Sequence, residues 1–178
     1  MSGESSSTPL AQELAETFGS TLGINKADHA KVWAKLLKPR KVGQHFAVCA
    51  RGRHTSSLFL VRQGALTVSL TSGSHTQEVV SLGPGDFFGE LGLLSPGDGN
   101  ADVITQSECE LLELDSAAFE RMKKEYPACA RSMMHDAGKV LALRVMGLER
   151  VEEGHDERAP TPGLLSRIAN LLFNFGND

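Results

Sequence analysis

The residues best suited to chemistry lie near the middle of the chain, at 83–94, where the sequence is Gly-Pro-Gly-Asp-Phe-Phe-Gly-Glu-Leu-Gly-Leu-Leu. Glycine lets backbone N–H groups approach a ligand closely, and the first N–H groups of a helix have no carbonyl partner. The segment therefore predicts a turn into a short helix that can bind an anion. Glu90 would accept hydrogen bonds from hydroxyl groups of the same ligand, so a phosphate next to a sugar satisfies both groups.

The elements that must hold this segment are mainly strands. From Lys41 to Asp115, short apolar runs alternate with turn residues, a pattern typical of an all-β sandwich or barrel. The predicted strands are 42–49, 57–62, 65–70, 77–82, 102–105 and 110–113.

Helices are predicted on both sides of the strands. Apolar residues at helical spacing indicate a first helix that starts at Leu10 and a second at 26–38, with Pro39 ending it. Asp115 is placed to cap a helix at 116–125, and a longer helix follows at 128–151. Trp33 lies among apolar residues of the second helix, which favours packing over contact with a ligand.

The run Gly-Asp-Phe-Phe-Gly-Glu-Leu-Gly-Leu-Leu, preceded by Val-Val-Ser-Leu-Gly-Pro, resembles the phosphate-binding cassette of cyclic-nucleotide-binding domains. This is the family of the catabolite activator protein and of the regulatory subunit of protein kinase A. The resemblance implies an α+β, mainly β fold: an antiparallel β-roll or jelly-roll with short N-terminal helices and a long C-terminal helix. It also implies cAMP or cGMP as the ligand, bound by Phe88, Gly89, Glu90, Leu91, Gly99, Asn100 and Ala101.

One feature of the family is missing. In the family, an arginine nine residues after the glutamate pairs with the cyclic phosphate, but that position is Gly99 here, and no arginine occurs from Leu91 to Phe119. Loss of one member of a buried charge-assisted pair costs about 2–5 kcal/mol. Asp98 and Asp102 would repel a phosphate, whereas Asn100 could donate to it. The nearest cationic group in the sequence is the loop Arg51-Gly52-Arg53-His54, whose simpler interpretation is a solvated turn.

Composition narrows the function classes further. A chain of 178 residues with a net charge of −4 has room for one domain and shows no basic face for nucleic acid. We expect a cytoplasmic protein, because no apolar run could span a membrane and the polar residues 1–9, a predicted disordered tail, do not resemble a signal peptide. The spacing of the cysteines does not indicate a metal site. The sequence also shows no catalytic motif that would indicate an enzyme.

The end of the chain carries a separate signal. After the predicted domain 10–151 comes a charged linker at 152–163, and then 164–178, in which apolar residues from 164 to 175 follow helical spacing. Such a short helix must dock, either on the β-roll or in the groove of a partner protein. Only 27 residues follow Val151, so we expect no helix-turn-helix and no DNA binding. In the family, the counterpart of the helix 128–151 is a dimer interface, so the resemblance implies a homodimer; the alternative is that the helix packs on its own roll.

Two functions follow from these observations. The first is a regulatory sensor that binds a cyclic nucleotide and transmits the ligand state through its C-terminal helices. The second is a β-roll that binds no ligand and acts as a protein-interaction module through 164–175. The Gly89-Glu90 pair favours the first function, and the missing arginine favours the second.

Overall fold

Eight strands form two four-stranded antiparallel sheets in the computed structural model, which describes residues 7–19, 21–25, 28–72, 74–94 and 101–152. The strands are β1 (Lys38–Val42), β2 (Ala47–Cys49), β3 (Ser57–Gln63), β4 (Leu66–Ser72), β5 (His75–Leu82), β6 (Phe87–Phe88), β7 (Ala101–Thr105) and β8 (Cys109–Asp115). The first sheet has the order β1-β8-β3-β6, and the second has the order β2-β7-β4-β5. This arrangement confirms the predicted α+β, mainly β roll.

The described residues form five helices, which pack against one face of the first sheet or connect its strands. They are α1 (Ser7–Phe18), α2 (His29–Leu36), α3 (Glu90–Leu94), α4 (Ser116–Glu125) and α5 (Pro127–Glu152). Asp115 caps α4 as predicted, because its carboxylate accepts a hydrogen bond from the Ala118 N–H group at 2.8 Å. Trp33 of α2 is fully buried in the helical layer, which confirms packing as its role.

The first sheet is buried on both faces. On β3 and β8, Leu58, Leu60 and Leu112 pack with the helices, in a cluster that includes Phe18, Trp33 and Met133. The residues between them on the same strands, such as Phe59 and Leu111, face the second sheet and pack with Leu66, Leu82 and Val103. Because alternate side chains of a strand point to opposite faces, the near-continuous apolar run of β3 serves two separate cores.

The predicted bounds of the first strand were wrong. The sequence suggested one strand at 42–49, but β1 ends at Val42, a turn follows, and β2 occupies only Ala47–Cys49. Pro39 does not end α2 directly, because the helix stops at Leu36 and Pro39 lies within β1. Proline is tolerated there because β1 is an edge strand, where one side needs no N–H donor.

Other boundaries moved by a few residues. Helix α1 begins at Ser7, inside the segment 1–9 that was predicted to be a tail. The two-residue strand β6 was not predicted, since Phe87 and Phe88 had been read only as part of the turn. The segment 164–178 and all but the first residue of the predicted linker at 152–163 lie outside the described residues.

Candidate functional site

A tight turn connects β5 to β6 and holds the glycine-rich segment against β3. The Gly83 N–H group donates to Asp86 Oδ2 at 2.9 Å, and the Asp86 N–H group donates to the Gly83 carbonyl at 3.0 Å. The turn is joined to β3 because Gly85 N–H donates to the Val61 carbonyl and Val61 N–H donates to the Asp86 carbonyl, at 3.0 and 2.8 Å. These bonds fix the path of the chain into the segment.

Two glycines place α3 directly against the residues that enter β3. Gly89 has a φ of +84°, and a Cβ atom there would lie 2.3 Å from the Ser57 carbonyl oxygen. A Cβ at Gly92 would lie 1.9 Å from the Thr55 carbonyl oxygen. Because backbone cannot move aside as a flexible side chain can, both positions require glycine in this structure. The sequence feature that suggested the site is therefore also what allows its close packing.

Glu90 is the first residue of α3 and is only 3% exposed. Its charge acts on Cys49, the last residue of β2. Burial raises the pKa of the Cys49 thiol to about 11, a hydrogen bond with the Thr55 side chain lowers it, Glu90 raises it and Arg40 lowers it. The glutamate of α3 and the guanidinium of Arg40 on β1 thus shift the pKa of the same half-buried thiol in opposite directions.

A cluster of polar side chains lies on the roll-facing side of the first sheet, close to Gly89. The Ser57 hydroxyl donates to Glu113 Oε1 at 2.7 Å, and Arg40 Nη1 lies 3.5 Å from Glu113 Oε2. The Arg40 guanidinium carbon also lies 5.7 Å from the centroid of the Phe59 ring. The site thus combines a buried carboxylate in α3 with a serine, a second carboxylate and an arginine on the facing strands.

The predicted site residues occupy different environments. Phe88 is buried and stacks on Phe59, with ring centroids 5.0 Å apart, so it belongs to the core of the roll. Leu91 lies half-buried in α3, and Ala101 begins β7 opposite Leu70. Gly99 and Asn100 lie outside the described residues.

Asp102 of β7 contacts the loop at 51–54, whereas Asp98 lies outside the described residues. Asp102 Oδ1 accepts a hydrogen bond from the Arg51 N–H group at 2.8 Å, so this carboxylate ties the β2–β3 loop to β7. The loop at 51–54 is exposed along its whole length. Its position supports the interpretation as a solvated turn.

Sequence reasoning missed Arg40, Ser57 and Glu113. In the sequence, Arg40 lies between the end of a predicted helix and the start of a predicted strand, so the direction of its side chain could not be inferred. The available signal was the alternation of Arg40 with Val42, which puts both residues on one face once β1 is recognised as a strand.

The family model for the cyclic nucleotide-binding domain matches residues 39–126, which include both sheets and the glycine-rich turn. Residues 39–126 form a domain of this family. Residues 83–94, whose sequence resembles the family's phosphate-binding cassette, lie within this match, and we call them the cassette below.

Two curated relatives match over about half of the chain. A segment of glutaminase 2 from Bradyrhizobium diazoefficiens is 33% identical over 99 residues, which is 56% of this chain and 15% of the relative. The cyclic nucleotide-gated channel beta-3 of Mus musculus is 31% identical over 100 residues, or 54% of this chain and 14% of the relative. The chain therefore corresponds to one small part of each larger protein.

Solved structures share the fold of the cyclic nucleotide-binding domain. A domain of this type from Methylobacillus flagellatus has a TM-score of 0.73 and 13% identity, covering 84% of this chain and 86% of that one. A cAMP-bound mutant of the regulatory subunit of a cAMP-independent protein kinase A from Trypanosoma brucei has a TM-score of 0.62 and 16% identity. That match covers 76% of this chain and 48% of the other, and one of the mutant's three substitutions introduces an arginine.

Two negative observations apply to the described ranges. No helix there is long and apolar enough to cross a membrane. Within the same ranges, no three histidine, cysteine, aspartate or glutamate side chains are grouped so that they could hold a metal ion.

Proposed function

We propose that this protein is a non-enzymatic regulatory domain that binds a cyclic nucleotide, cAMP or cGMP, in its β-roll. Gly89, Leu91 and the first N–H groups of α3 face the phosphate in this proposal, and Glu90 accepts a hydrogen bond from a ribose hydroxyl. Ala101, together with Gly99 and Asn100, contributes backbone groups on the opposite side of the ligand in this proposal. A cytoplasmic location and a homodimer joined through α5 complete the proposal.

The observation that carries the proposal is the geometry at Gly89 and Glu90. Gly89 keeps a positive φ and a contact with Ser57 that no other residue could make, and Glu90 follows it as a carboxylate that is 3% exposed. A carboxylate is a hydrogen-bond acceptor for hydroxyl groups such as those of a ribose, and the N–H groups at the start of α3 suit a phosphate.

Titration calorimetry tests the proposal directly. The full-length protein, checked first for co-purified nucleotide, is titrated with cAMP and with cGMP, and we expect saturable binding to one of them at micromolar concentration. Glu90→Ala should abolish the heat of binding. Glu120→Ala is the matched control, because Glu120 is exposed on α4 and pairs only with Lys123 of the same helix among the described residues. Equal binding by wild type and Glu90→Ala would contradict the assigned role of Glu90.

The missing cassette arginine supplies a second test. The Trypanosoma protein described above is the regulatory subunit of a cAMP-independent protein kinase A, and its cAMP-bound mutant carries a new arginine. If the present roll binds cyclic nucleotide with the family's geometry, Gly99→Arg should increase affinity about 30-fold or more, since charge-assisted contacts to phosphate contribute about 2 kcal/mol or more. Gly97→Arg places the same charge two residues away and serves as the control.

A ligand-independent interaction module is the second candidate, and the absence of an arginine from Leu91 to Phe119 is the observation that favours it. In that case a partner protein would bind the amphipathic segment 164–175. Deletion of 164–178 separates the candidates. If the segment covers the roll, nucleotide binding appears or strengthens on deletion, whereas the interaction module shows no nucleotide heat with or without the segment.

Transmission of the ligand state is proposed to run from α3 to α5. Helix α3 contacts α5, and Leu93 shares one buried cluster with Cys129, Met133 and Ala137 of α5. A movement of the cassette on ligand binding would therefore change the surface on which α5 rests. Hydrogen exchange of the α5 amides, with and without nucleotide, measures this coupling.

A further inference from the structure

We propose that Arg40 supplies the positive charge for the anionic group of the ligand, and so replaces, from the first sheet, the arginine that the cassette lacks. This inference rests on the proposed function, because it names a residue that contacts the same ligand. The sequence between Leu91 and Phe119 contains no arginine, so a guanidinium for the phosphate must come from another element.

The position of Arg40 on β1 directs its side chain toward the roll. Arg40 and Val42 lie two residues apart on one strand and therefore share a face. Val42 belongs to the buried cluster between the two sheets, together with Phe59 and Leu111. The Arg40 guanidinium accordingly lies over the Phe59 ring, 5.7 Å from its centroid, with 41% of the side chain exposed.

Two residues connect Arg40 to the cassette. A Cβ at Gly89 would lie 2.3 Å from the Ser57 carbonyl oxygen and 3.4 Å from Phe59 Cδ2, so both residues adjoin the cassette glycine. Phe59 carries the Arg40 guanidinium on its ring, and Ser57 is hydrogen-bonded to Glu113, the ion-pair partner of Arg40. The effects of both Glu90 and Arg40 on the pKa of Cys49 agree with this placement.

The contacts of Arg40 leave N–H groups of its guanidinium able to bind a ligand. Its ion pair with Glu113 is long, at 3.5 Å, and one of the two Glu113 oxygens is already hydrogen-bonded to Ser57. A guanidinium has five N–H donors in a planar fork that matches phosphate. Glu113 thus orients Arg40 and leaves donors for an anion.

Two other described cations near the first sheet already form ion pairs with acidic residues. Lys38 lies on the same face as Arg40, but its ammonium pairs with Asp115 at 2.5 Å and its side chain is 66% exposed. Arg62 pairs with Glu13 of α1 through two hydrogen bonds of 2.6 and 2.7 Å, on the helical side of the sheet. Arg40 is therefore the described cation with both the direction and the donors that the proposal requires.

The test compares Arg40→Gln with Arg62→Gln, which removes an ion-paired arginine from the opposite face of the same sheet. If cAMP is the nucleotide that the wild type binds, affinities for cAMP and for adenosine, which lacks the phosphate, are measured by calorimetry or competition; if it is cGMP, cGMP and guanosine replace them. Arg40→Gln should weaken cAMP binding about 10- to 100-fold, the range expected for a charge-assisted contact, and leave adenosine binding unchanged. Arg62→Gln should leave both affinities unchanged.

A second variant changes the affinity in the opposite direction. Glu113→Gln keeps the side-chain shape and removes the negative charge that competes with the phosphate for Arg40, so cAMP should bind several-fold more tightly. A purely structural Arg40–Glu113 pair predicts weaker binding or no change. This measurement decides the question even if Arg40→Gln fails to fold.

The experiment distinguishes failure of the proposed function from failure of the role proposed for Arg40. Absence of binding to the wild-type protein overturns the proposed function and this inference together. Wild-type affinity in Arg40→Gln overturns only the role of Arg40, as does an equal loss of cAMP and adenosine binding, since that result indicates a structural role.

Discussion

The contact between Gly89 and Ser57 places a packing requirement on a residue that we also propose to bind the ligand. Gly89 has a φ of +84° and sits where a Cβ would overlap the Ser57 carbonyl oxygen. The same absence of a side chain exposes the N–H groups of the following residues to an anion. A substitution at this residue should therefore change both properties.

We predict that Gly89→Ala lowers the free energy of unfolding by about 1–3 kcal/mol, because alanine is strained at positive φ and its Cβ must displace backbone. Urea denaturation measures the change. Gly83→Ala is the matched control: Gly83 lies in the same segment, its φ is not positive, and a Cβ there has no neighbour within 4 Å. An equal effect of the two substitutions would show that the close contact does not constrain Gly89.

The sequence predicted Gly89 and Glu90 but not Arg40, and the reason is physical. Glycine spacing and a following carboxylate are local features, which can be recognised from the chain alone. The direction of Arg40 depends on the pairing of β1 with β8, in which Arg40 lies opposite Leu111. A one-residue change of register would turn its side chain to the other face. Site residues contributed by distant strands are thus harder to predict than those of a turn.

At the level of elements, Asp115 joins three parts of the structure. It ends β8 and caps α4 through the Ala118 N–H group, and its second oxygen accepts a hydrogen bond from Lys38 of β1. The hydrogen bond with Lys38, followed by that with Ala118, holds the pKa of Asp115 below its usual value. One side chain thus fixes the junction between the roll and the helices.

We predict that Asp115→Ala lowers the free energy of unfolding by about 1 kcal/mol, the usual cost of losing a helix N-cap. Because the folded-state pKa is depressed, Asp115 stabilises the protein above about pH 4, and this contribution is lost as pH falls through the folded-state pKa. Denaturation at pH 7 and at pH 3 should therefore show a difference between wild type and variant that shrinks in acid.

The control for this experiment is Asp28→Ala. Asp28 occupies the N-cap position of α2 but makes no capping hydrogen bond with its side chain, and its ion pair with Lys31 is exposed. Its removal should change stability by less than about 0.5 kcal/mol. A comparable loss in both variants would mean that the capping bond of Asp115 contributes little.

At the level of the whole molecule, the long helix α5 has two parts. Residues 129, 130, 133 and 137 are buried in the helical layer and attach the first half to the domain. Farther along, the sequence places Leu141 and Leu148 seven residues apart, continuing the series from Met134. A helix of 26 residues extends about 39 Å, so its second half can reach a second copy of the chain.

We predict a dimer in sedimentation velocity at high micromolar concentration. Leu148→Lys should shift the population to monomer, because it places a charge on the apolar series, and should leave thermal unfolding of the monomer little changed. His135→Lys adds the same charge at an exposed position of the same helix and serves as the control. A wild-type protein that remains monomeric throughout would contradict the dimer.

The two-sided burial of the first sheet has a consequence for how the protein can evolve. Along β3, Phe59 and Val61 face the roll, whereas Leu58 and Leu60 face the helices. Adjacent residues therefore belong to different cores, the interior of the roll and the layer that carries α5. Under the proposed function, substitutions at Phe59 or Val61 would change the ligand preference of the roll and leave the packing of the helical layer in place.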